Sequence, residues 1–463
     1  MCKLSPETIK NILAQGKIYE VGGAVRDRYL AQKNIKDRDY LVTGINYNDL
    51  SKILNRFGRV DLVGRSFGVM KFTQNRNGQP FTFDISLPRK EYSTGVGHTD
   101  FEVDFDPTLS VEDDLLRRDF TVNAMAIAVD SDQLVDPLEG MVDLQAKQLR
   151  MTSVASFTED PLRMLRAIQF AARFGFKIEA KTLEALIENG ALIKTISPER
   201  IAEELNKLLT RSPEPSVGFR LMRDTGLLKH ILPELSECVD VDQPGGFHKY
   251  DVFEHSLRCI DAVPESLHLR LAALFHDINK PQAKRLTETG ATFYGHESAS
   301  ARTAKKVLKR LKYSNETVSD VATLVDRHMF TTDVTDKGRR RLIRKVGLEL
   351  IFDLLNLRRA DVVAQGMGGV TDDVDQFERE IRDEIAAKPP FGLNDLAING
   401  RDIMMELKLG ESPDVGKILD YLMEQVLDDP AQNVREILMT KACEFHSTMN
   451  NNSTGKCDKE NQR

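Results

Sequence analysis

Lys17-Ile18-Tyr19-Glu20-Val21-Gly22-Gly23-Ala24-Val25-Arg26-Asp27 and, a little further on, Asp37-Arg38-Asp39-Tyr40-Leu41-Val42-Thr43 decide the fold. Lys17 to Val21 reads as a short strand, Gly22-Gly23 as a turn and Ala24 to Leu30 as a helix. Tyr40 to Thr43 reads as a second strand. Two carboxylates at i and i+2 on an extended segment project from one face. Asp37 and Asp39 therefore form a pair able to hold divalent cations between protein oxygens and a polyphosphate. A glycine pair opening a helix lets backbone N–H groups approach phosphate oxygens. Arg26, one turn into that helix, is placed to pair with the same triphosphate. Taken singly, Asp-x-Asp also fits a solvated turn and Gly-Gly a plain joint; together they point to phosphoryl or nucleotidyl transfer.

The chain around this stretch has 463 residues, too many for one compact core, and suggests two to four domains. No run of eighteen apolar residues occurs, which excludes a transmembrane helix and a membrane role. The start, Met1-Cys2-Lys3-Leu4-Ser5-Pro6, lacks the basic and apolar regions of a secretory signal. Cys2, Cys238, Cys259, Cys443 and Cys457 follow no metal-ligand spacing and read as reduced thiols of a cytoplasmic protein. A net charge of −7 argues against a generic polyanion-coating protein, so any nucleic acid must meet a local basic patch.

Strand signals, including Phe81 to Ile85, are confined to the first part of the chain. Beyond Asp160 helical periodicity dominates. The fold class is α+β: an α/β head followed by a long helical body. Arg211-Ser212-Pro213-Glu214-Pro215-Ser216 ends a helical neck, and Lys388-Pro389-Pro390-Phe391-Gly392 separates the central helices from a last segment. These punctuations give a head at 1–150, a neck at 151–215, a body at 216–388, a C-terminal helical segment at 389–445 and a polar tail at 446–463. With Asn450-Asn451-Asn452, that tail is expected to be disordered.

The glycine turn and carboxylate pair match the pattern of the DNA polymerase beta nucleotidyltransferase superfamily, in which Asp84 is the candidate third carboxylate. Val21-Gly22-Gly23-Ala24-Val25-Arg26-Asp27 resembles the opening signature of class II tRNA nucleotidyltransferases, the CCA-adding enzymes, and of bacterial poly(A) polymerases. Leu116-Arg117-Arg118-Asp119-Phe120-Thr121-Val122-Asn123-Ala124, Glu159-Asp160-Pro161-Leu162-Arg163-Met164-Leu165-Arg166 and Ser197-Pro198-Glu199-Arg200 resemble the motifs that follow, in the same order. Arg117 and Arg118 suit a triphosphate, and the Asp119 carboxylate can accept from ribose hydroxyls.

On the expected helix from Asp160 to Phe174, Leu162, Leu165, Ile168 and Ala172 form the apolar face, leaving Asp160, Arg163 and Arg166 off it. An isolated Asp–Arg pair at this spacing is more often a surface ion pair. The resemblance implies instead that Asp160 and Arg163 read the incoming base. A carboxylate accepts from the exocyclic amine of cytosine or adenine, whereas uracil and guanine present no amine there. Arg89 to Asp106, with Gly95 and Gly97, resembles the family's mobile loop, which members adding both C and A generally keep.

The resemblance further implies Mg2+ at Asp37, Asp39 and Asp84, a nucleotide site including Gly22, Gly23, Arg26, Arg117, Arg118, Asp119, Asn123, Asp160, Arg163 and Arg166, and CTP, ATP and a tRNA acceptor arm as partners. No protein partner is implied. The activity expected is CCA addition without a nucleic-acid template. Poly(A) synthesis, or addition of only CC or only A, is the alternative within the same chemistry.

A second set, His255, His276-Asp277, His296, His328 and Asp361, resembles the HD phosphohydrolase superfamily over residues of about 250–365. Histidines and aspartates from several helices converging on one point are how a helical bundle makes a metal site. Asn279 stands where that family usually has Gly, and it tolerates a left-handed backbone nearly as well. The resemblance implies a divalent metal (Mg2+, Mn2+ or Ni2+) and phosphohydrolase activity. A chain that is mainly such a hydrolase, with an RNA-binding head, is the reading from a different class.

Between Ala301 and Lys345 the charge balance is +8, including Lys305-Lys306, Lys309-Arg310 and Arg339-Arg340-Arg341. This stretch is either a phosphate-backbone contact or a solvated helix face. Ile398 to Met404 and Val415 to Leu419 resemble the C-terminal helical segment of the same tRNA nucleotidyltransferases.

Overall fold

The computed structural model describes residues 3–30, 38–63, 69–76, 78–93, 101–106, 108–288, 290–387 and 389–460. Asp37, Gly95 and Gly97 lie outside the described residues. The chain divides into two compact units, Met1–Glu237 with Lys309–Tyr313, and Cys238–Leu308 with Ser314–Arg463.

The first unit begins with α1 (Pro6–Leu13), β1 (Lys17–Val21), α2 (Gly23–Tyr29), β2 (Asp39–Thr43), α3 (Tyr47–Asn55), β3 (Arg59–Val63), β4 (Val69–Arg76) and β5 (Gln79–Ser86). It continues with β6 (Arg89–Ser93), β7 (Phe101–Phe105), α4 (Val111–Leu116), β8 (Ala126–Ala128), β9 (Leu134–Val135) and α5 (Gly140–Gln145). The neck then follows as α6 (Ser156–Glu159), α7 (Leu162–Phe174), α8 (Ala180–Asn189), α9 (Pro198–Arg211), α10 (Pro215–Asp224), α11 (Leu228–Ile231) and α12 (Pro233–Ser236).

Seven strands form one sheet in the order β3-β4-β5-β2-β1-β8-β9, with β2 and β5 parallel and the other neighbours antiparallel. Strand alternation divides the central residues between two buried faces. Ile18, Tyr40, Val42 and Ile85 pack with Ile12 of α1 and Leu50 and Ile53 of α3. Tyr19, Val21 and Leu41 pack on the other face with Val111 and Leu115 of α4. The helices begin where side chains satisfy the free N–H groups: Ser5 caps α1, Asn46 caps α3, and Ser110 with Asp113 forms a capping box on α4.

Sequence reading finds β1, β2 and β5 but not the rest of the sheet. β8 and β9 have three and two residues and carry too little periodicity to register. The arms of the expected loop at 89–106 pair as the antiparallel ribbon β6–β7. α9 ends at Arg211, as its proline-rich successor requires, yet α10 to α12 stay in the first unit. The division falls after Glu237 rather than at 215 because α10 lies tight against the neck: a Cβ added at Gly218 would meet Leu208 Cδ1 at 2.5 Å.

Apart from a short antiparallel ribbon of Arg285–Thr287 with Gly290–Thr292, the second unit is helical: α13 (Val252–Ala262), α14 (Leu267–Phe275), α15 (Lys280–Ala283), α16 (His296–Arg310), α17 (Asn315–Arg327), α18 (Asp336–Val346), α19 (Ile351–Ala364), α20 (Asp372–Ala386), α21 (Gly400–Leu407), α22 (Pro413–Asp428) and α23 (Arg435–Glu460). Ile403, Ile418, Leu422, Val426 and Leu438 form the core of its last three helices.

Two expectations change here. The tail from His446 is not irregular, since α23 runs to Glu460. Its first half is held by buried Leu438 and Ala442 and by Phe445 stacked on Tyr421, and a helix once nucleated extends at little further cost. Arg339-Arg340-Arg341 is not a free basic surface. Arg339 pairs with Glu380, Arg340 donates to Glu384 and to the carbonyls of Leu427 and Asp428, and Arg341 pairs with Glu424. These arginines tie α18 to α20 and α22.

Candidate functional site

The register of β1, β2 and β5 builds the first site. Asp39 lies opposite Val21 on β1 and opposite Asp84 on β5. Cross-strand neighbours share a face, so Asp39, Asp84 and the residue preceding Gly22-Gly23 stand side by side. Asp39 is exposed and Asp84 half-buried. Arg38 alternates to the opposite face, where it pairs with Glu20, both side chains being buried. That pair anchors the start of β2 to β1 and leaves Asp39, at the strand's end, exposed.

Gly22 has φ +70°, and a Cβ there would meet Arg118 Nη1 at 2.6 Å. The absence of a side chain thus lets the Arg118 guanidinium lie over the turn. Arg117 and Arg118 are held by one buried carboxylate, Asp114, at 2.6 and 3.0 Å. Burial raises the Asp114 pKa, but the two arginines outweigh this and keep it below the usual carboxylate range. Sequence reasoning missed Asp114, although its i,i+3 and i,i+4 spacing to Arg117 and Arg118 on a capped helix was a usable signal.

Arg26 is 5 % exposed, and its guanidinium turns inward rather than toward a triphosphate. It donates to Asp27 Oδ1 and, at 2.6 Å, to Asn123 Oδ1, and it lies 4.4 Å from the Phe174 ring centroid. Asn123 Nδ2 in turn donates to Asp119 Oδ1 at 3.0 Å. Asp119 Oδ2 accepts from Arg166 Nε and Nη2 at 2.9 and 2.6 Å, and Arg166 Nη1 lies 3.5 Å from Glu204 of α9. Asp27, Arg26, Asn123, Asp119, Arg166 and Glu204 form a continuous polar chain from the head helix α2 to the neck helices α7 and α9. Asp119, expected to face a ribose, is spent inside this chain. Burial opposes its charge, but Arg166 and the donated hydrogen bonds hold its pKa below the usual range. Desolvation opposes the charge of Arg166, but Asp119 and then Glu204 outweigh it and raise its pKa above the ordinary value.

Asp160 does not belong to α7: it ends α6 in an extended conformation, and Pro161 begins the next helix. Asp160 and Arg163 are not paired through their side chains. Asp160 Oδ2 accepts from Arg200 Nη2 at 2.9 Å, and Oδ1 accepts from the Leu162 N–H at 3.2 Å. Arg163 Nη2 donates to the Arg117 carbonyl at 2.8 Å, while Nη1 reaches Ser156 and Glu159. Arg163 thus sits against the Arg117-Arg118 segment, and Arg200 is the added partner.

The second unit brings together all six residues singled out there. His255 comes from α13, His276 and Asp277 from the end of α14, His296 from α16, His328 from the end of α17 and Asp361 from α19. All are buried. His255, His276 and Asp277 offer ligand atoms within 4.8 Å of one another, and so do Asp277, His296 and His328. Asp361 Oδ1 lies 3.1 Å from His255 Nε2.

The Nδ1 atoms of His276, His296 and His328 lie 2.8, 2.8 and 2.7 Å from the carbonyls of Ala273, Phe293 and Val325. A neutral ring that donates there presents Nε2 to the centre, the arrangement of metal-ligating histidines. For His276 burial favours the neutral form, but Asp277 outweighs it and raises the pKa above the ordinary histidine value. Burial, then neighbouring His276, pushes the His328 pKa down to about 3, so that ring is neutral at pH 7. Both oxygens of Asp277 are buried, Oδ1 lying 3.1 Å from His296 Nε2 and Oδ2 3.2 Å from His276 Nε2, so the carboxylate faces both triads. A cavity of about 490 Å³ opens beside the cluster, lined also by Lys280 and Arg358. Neither cation was singled out from sequence. Lys280 Nζ lies 2.6 Å from Asp277 Oδ2 and Arg358 Nη1 lies 3.0 Å from Asp361 Oδ2.

Comparison with known proteins follows this layout. Residues 18–150 match the model of the poly A polymerase head domain, residues 175–238 that of an RNA and SrmB-binding site of polymerase A, and residues 287–442 that of tRNA nucleotidyltransferase domain 2. The chain is 36% identical over 368 residues to an A-adding tRNA nucleotidyltransferase of Deinococcus radiodurans, covering 75% of this chain and 82% of that protein. It is 37% identical over 321 residues to a multifunctional CCA protein of Methylobacillus flagellatus, covering 67% and 73%. The fold resembles that of the Bacillus stearothermophilus CCA-adding enzyme in complex with CTP, with TM-score 0.69 and 23% identity over 97% of this chain and all of that one.

The polar chain through Asp119 has a measurable acid dependence. A carboxyl whose folded pKa is lowered contributes stability above its unfolded pKa of about 3.9 and loses it as pH falls toward the folded value. Asp119→Asn should lower first-unit stability at pH 7 by about 2 kcal/mol, less than for a fully buried pair because Arg166 keeps Glu204 and some solvent. It should also flatten the decline of the unfolding midpoint below about pH 4. Urea titrations across pH would check this, and unchanged acid slopes would contradict it.

Proposed function

Because this chain belongs to the tRNA nucleotidyltransferase family, we propose that it completes the CCA end of tRNA, taking CTP and ATP as substrates. The observation that carries the reading is the register placing Asp39 beside Asp84 and next to the Gly22-Gly23 turn. The two carboxylates, one exposed and one half-buried, offer hard oxygen ligands on one face and fit Mg2+, with Asp37 as the further ligand. That ion, when bound, supplies charge against the triphosphate and lowers the pKa of an attacking hydroxyl.

The chain's own residues do the rest. Gly22 leaves room for the Arg118 guanidinium over the turn, and Asp114 holds Arg118 and the adjacent Arg117 in place to meet phosphate oxygens. Asp160 and Arg163 offer an acceptor and donors to the base edge, Arg163 being set by the Arg117 carbonyl and Asp160 by Arg200. Arg26, Asn123, Asp119 and Arg166 act as positioning residues that hold this neck segment to the head. Reduced Cys238 and Cys259, both buried, suit a cytoplasmic setting.

Addition of the terminal A alone is the second reading, favoured by the long match to the A-adding relative. Purified protein given tRNA lacking all of CCA, or lacking only the final A, with CTP and ATP, separates the two by product sequencing. A CCA-adding enzyme completes both, whereas extension of only the second substrate would overturn the leading reading. Asp39→Ala should lower either transfer by at least about a thousandfold with the fold retained. Near wild-type rates in that variant would contradict the site.

We also propose that the buried histidine–aspartate cluster holds one or two divalent metal ions and hydrolyses phosphate esters in the adjoining cavity. When bound, the metal supplies Lewis-acid activation of the ester. Lys280 and Arg358 face the same space as cations suited to phosphate oxygens. Asp277→Ala removes the ligand common to both triads. Hydrolysis of p-nitrophenyl phosphate with Mn2+, Mg2+ or Ni2+ should disappear in that variant while CTP incorporation persists. Hydrolysis surviving the substitution would remove the assignment.

A further inference from the structure

The basic stretch between Ala301 and Lys345 separates into two classes. Arg339, Arg340, Arg341 and Arg344 are neutralised by carboxylates of α20 and α22. Arg302 and Lys305 of α16 and Lys345 of α18 are exposed and form no ion pair among the described residues. With Arg327, at the end of α17, they line a cleft of about 290 Å³. The only acid among its lining residues, Asp326, accepts from Ser298 Oγ at 2.7 Å and lies 3.1 Å from Arg327. Setting that pair aside leaves Arg302, Lys305 and Lys345 without a counter-charge, in a chain whose net charge is −7. The cleft shares no lining residue with the cavity beside the histidine–aspartate cluster and is a separate feature of the second unit.

The kind of cation decides the kind of anion. A site for one small free anion needs donors fixed by burial, because exposed charges act through a high dielectric and each contributes little. Here the unpaired cations are exposed, and the rest of the lining is a serine, a threonine and two alanines. No aromatic ring or large apolar side chain lines the cleft to stack a base or grip a peptide side chain. Weak charges spread around a concavity add up only against a ligand that brings several charges at fixed spacing. A nucleic-acid backbone is such a ligand: each phosphate met releases a counterion, and no base need be read.

We propose that this cleft is a docking point for backbone phosphates of the tRNA substrate, held there while the first unit adds nucleotides. The proposal deepens the tRNA nucleotidyltransferase reading and rests on it. Arg302, Lys305 and Lys345 are then binding residues with no part in the chemistry. They set the KM for tRNA and leave the KM for CTP and the turnover of the bound complex alone.

The test is nucleotide addition by the full chain to a tRNA lacking its CCA end, with Mg2+, CTP and ATP. A neutral variant combines Arg302→Gln, Lys305→Gln and Lys345→Gln. A charge-keeping variant combines Arg302→Lys, Lys305→Arg and Lys345→Arg. These changes alter exposed side chains only, and thermal midpoints check folding. The neutral variant should raise KM for tRNA about tenfold or more, with kcat and the KM for CTP little changed. The charge-keeping variant should stay within about twofold of wild type. In the neutral variant the slope of log KM for tRNA against log salt should shrink by about two to three, at roughly 0.9 per lost duplex contact. An unchanged KM for tRNA, or a loss confined to kcat, overturns the proposal. So does binding of inorganic phosphate or pyrophosphate that disappears in the neutral variant while tRNA kinetics stay the same, since the cleft would then be a small-anion site. Should the neutral variant melt early, Lys345→Gln alone should still raise KM for tRNA about threefold, and no change there overturns the proposal equally. If the wild-type chain adds no nucleotide, the transferase reading fails on its own. Filter binding of labelled tRNA then decides the cleft: affinity about tenfold weaker in the neutral variant supports it, and equal affinity overturns it.

Discussion

The buried contact between Asp119 and Arg166 is the constraint on which the first unit depends. A carboxylate removed from water is costly unless its oxygens are filled by donors and its charge is met. Asp119 meets both demands with the Phe120 N–H, the Asn123 amide and two guanidinium nitrogens of Arg166. Because Arg166 stands on α7, the demand is satisfied only when the neck helix lies against the head. Arg26, inserted beside Phe170 and Phe174 of that helix, repeats the same requirement from α2. The segment bearing Asp160 and Arg163 therefore comes to rest beside Arg117, with Phe120 packed edge-on to Phe170 as an apolar contact between head and neck.

The same physics shapes the second unit in another form. Asp277 and Asp361 are buried among His255, His276, His296 and His328, with Lys280 and Arg358 at the margin. Carbonyl acceptors fix three of the rings, so their Nε2 atoms point inward, those of His276 and His296 to within 3.2 and 3.1 Å of Asp277. A cluster so built costs folding free energy to concentrate buried ligand atoms on one point.

The sequence made some of this legible and hid the rest for identifiable reasons. β1 and β2 were readable because each is a short β-rich run bounded by turn residues. The register that joins Asp39 to Asp84 was not, because pairing between strands so far apart leaves no local pattern. Asp119, Arg166 and Asn123 were recognisable as polar residues of recurring motifs, but their partners in space were not. A side chain's chemistry permits contact with substrate or with another side chain, and only the fold decides between them. Arg26 and Asp119 went to the protein, and so did Arg339 to Arg341. Asp160 looked helical from its spacing to Arg163, whereas Pro161 starts a new helix after it. The tail was misjudged from composition alone, which cannot sense that a packed helix is already running into it.

The most direct measurement of the head–neck constraint is a double-mutant cycle on CTP incorporation into tRNA. The variants are Asp119→Asn, Arg166→Gln and the pair together. If Asp119 and Arg166 act as one unit to place the neck, the double variant should lose scarcely more kcat/KM than either single one. The coupling should then amount to about 1.4 kcal/mol or more, a tenfold departure from additivity. Strictly additive losses would mean that the two residues act separately, and that something else holds Asp160 and Arg163 against the head.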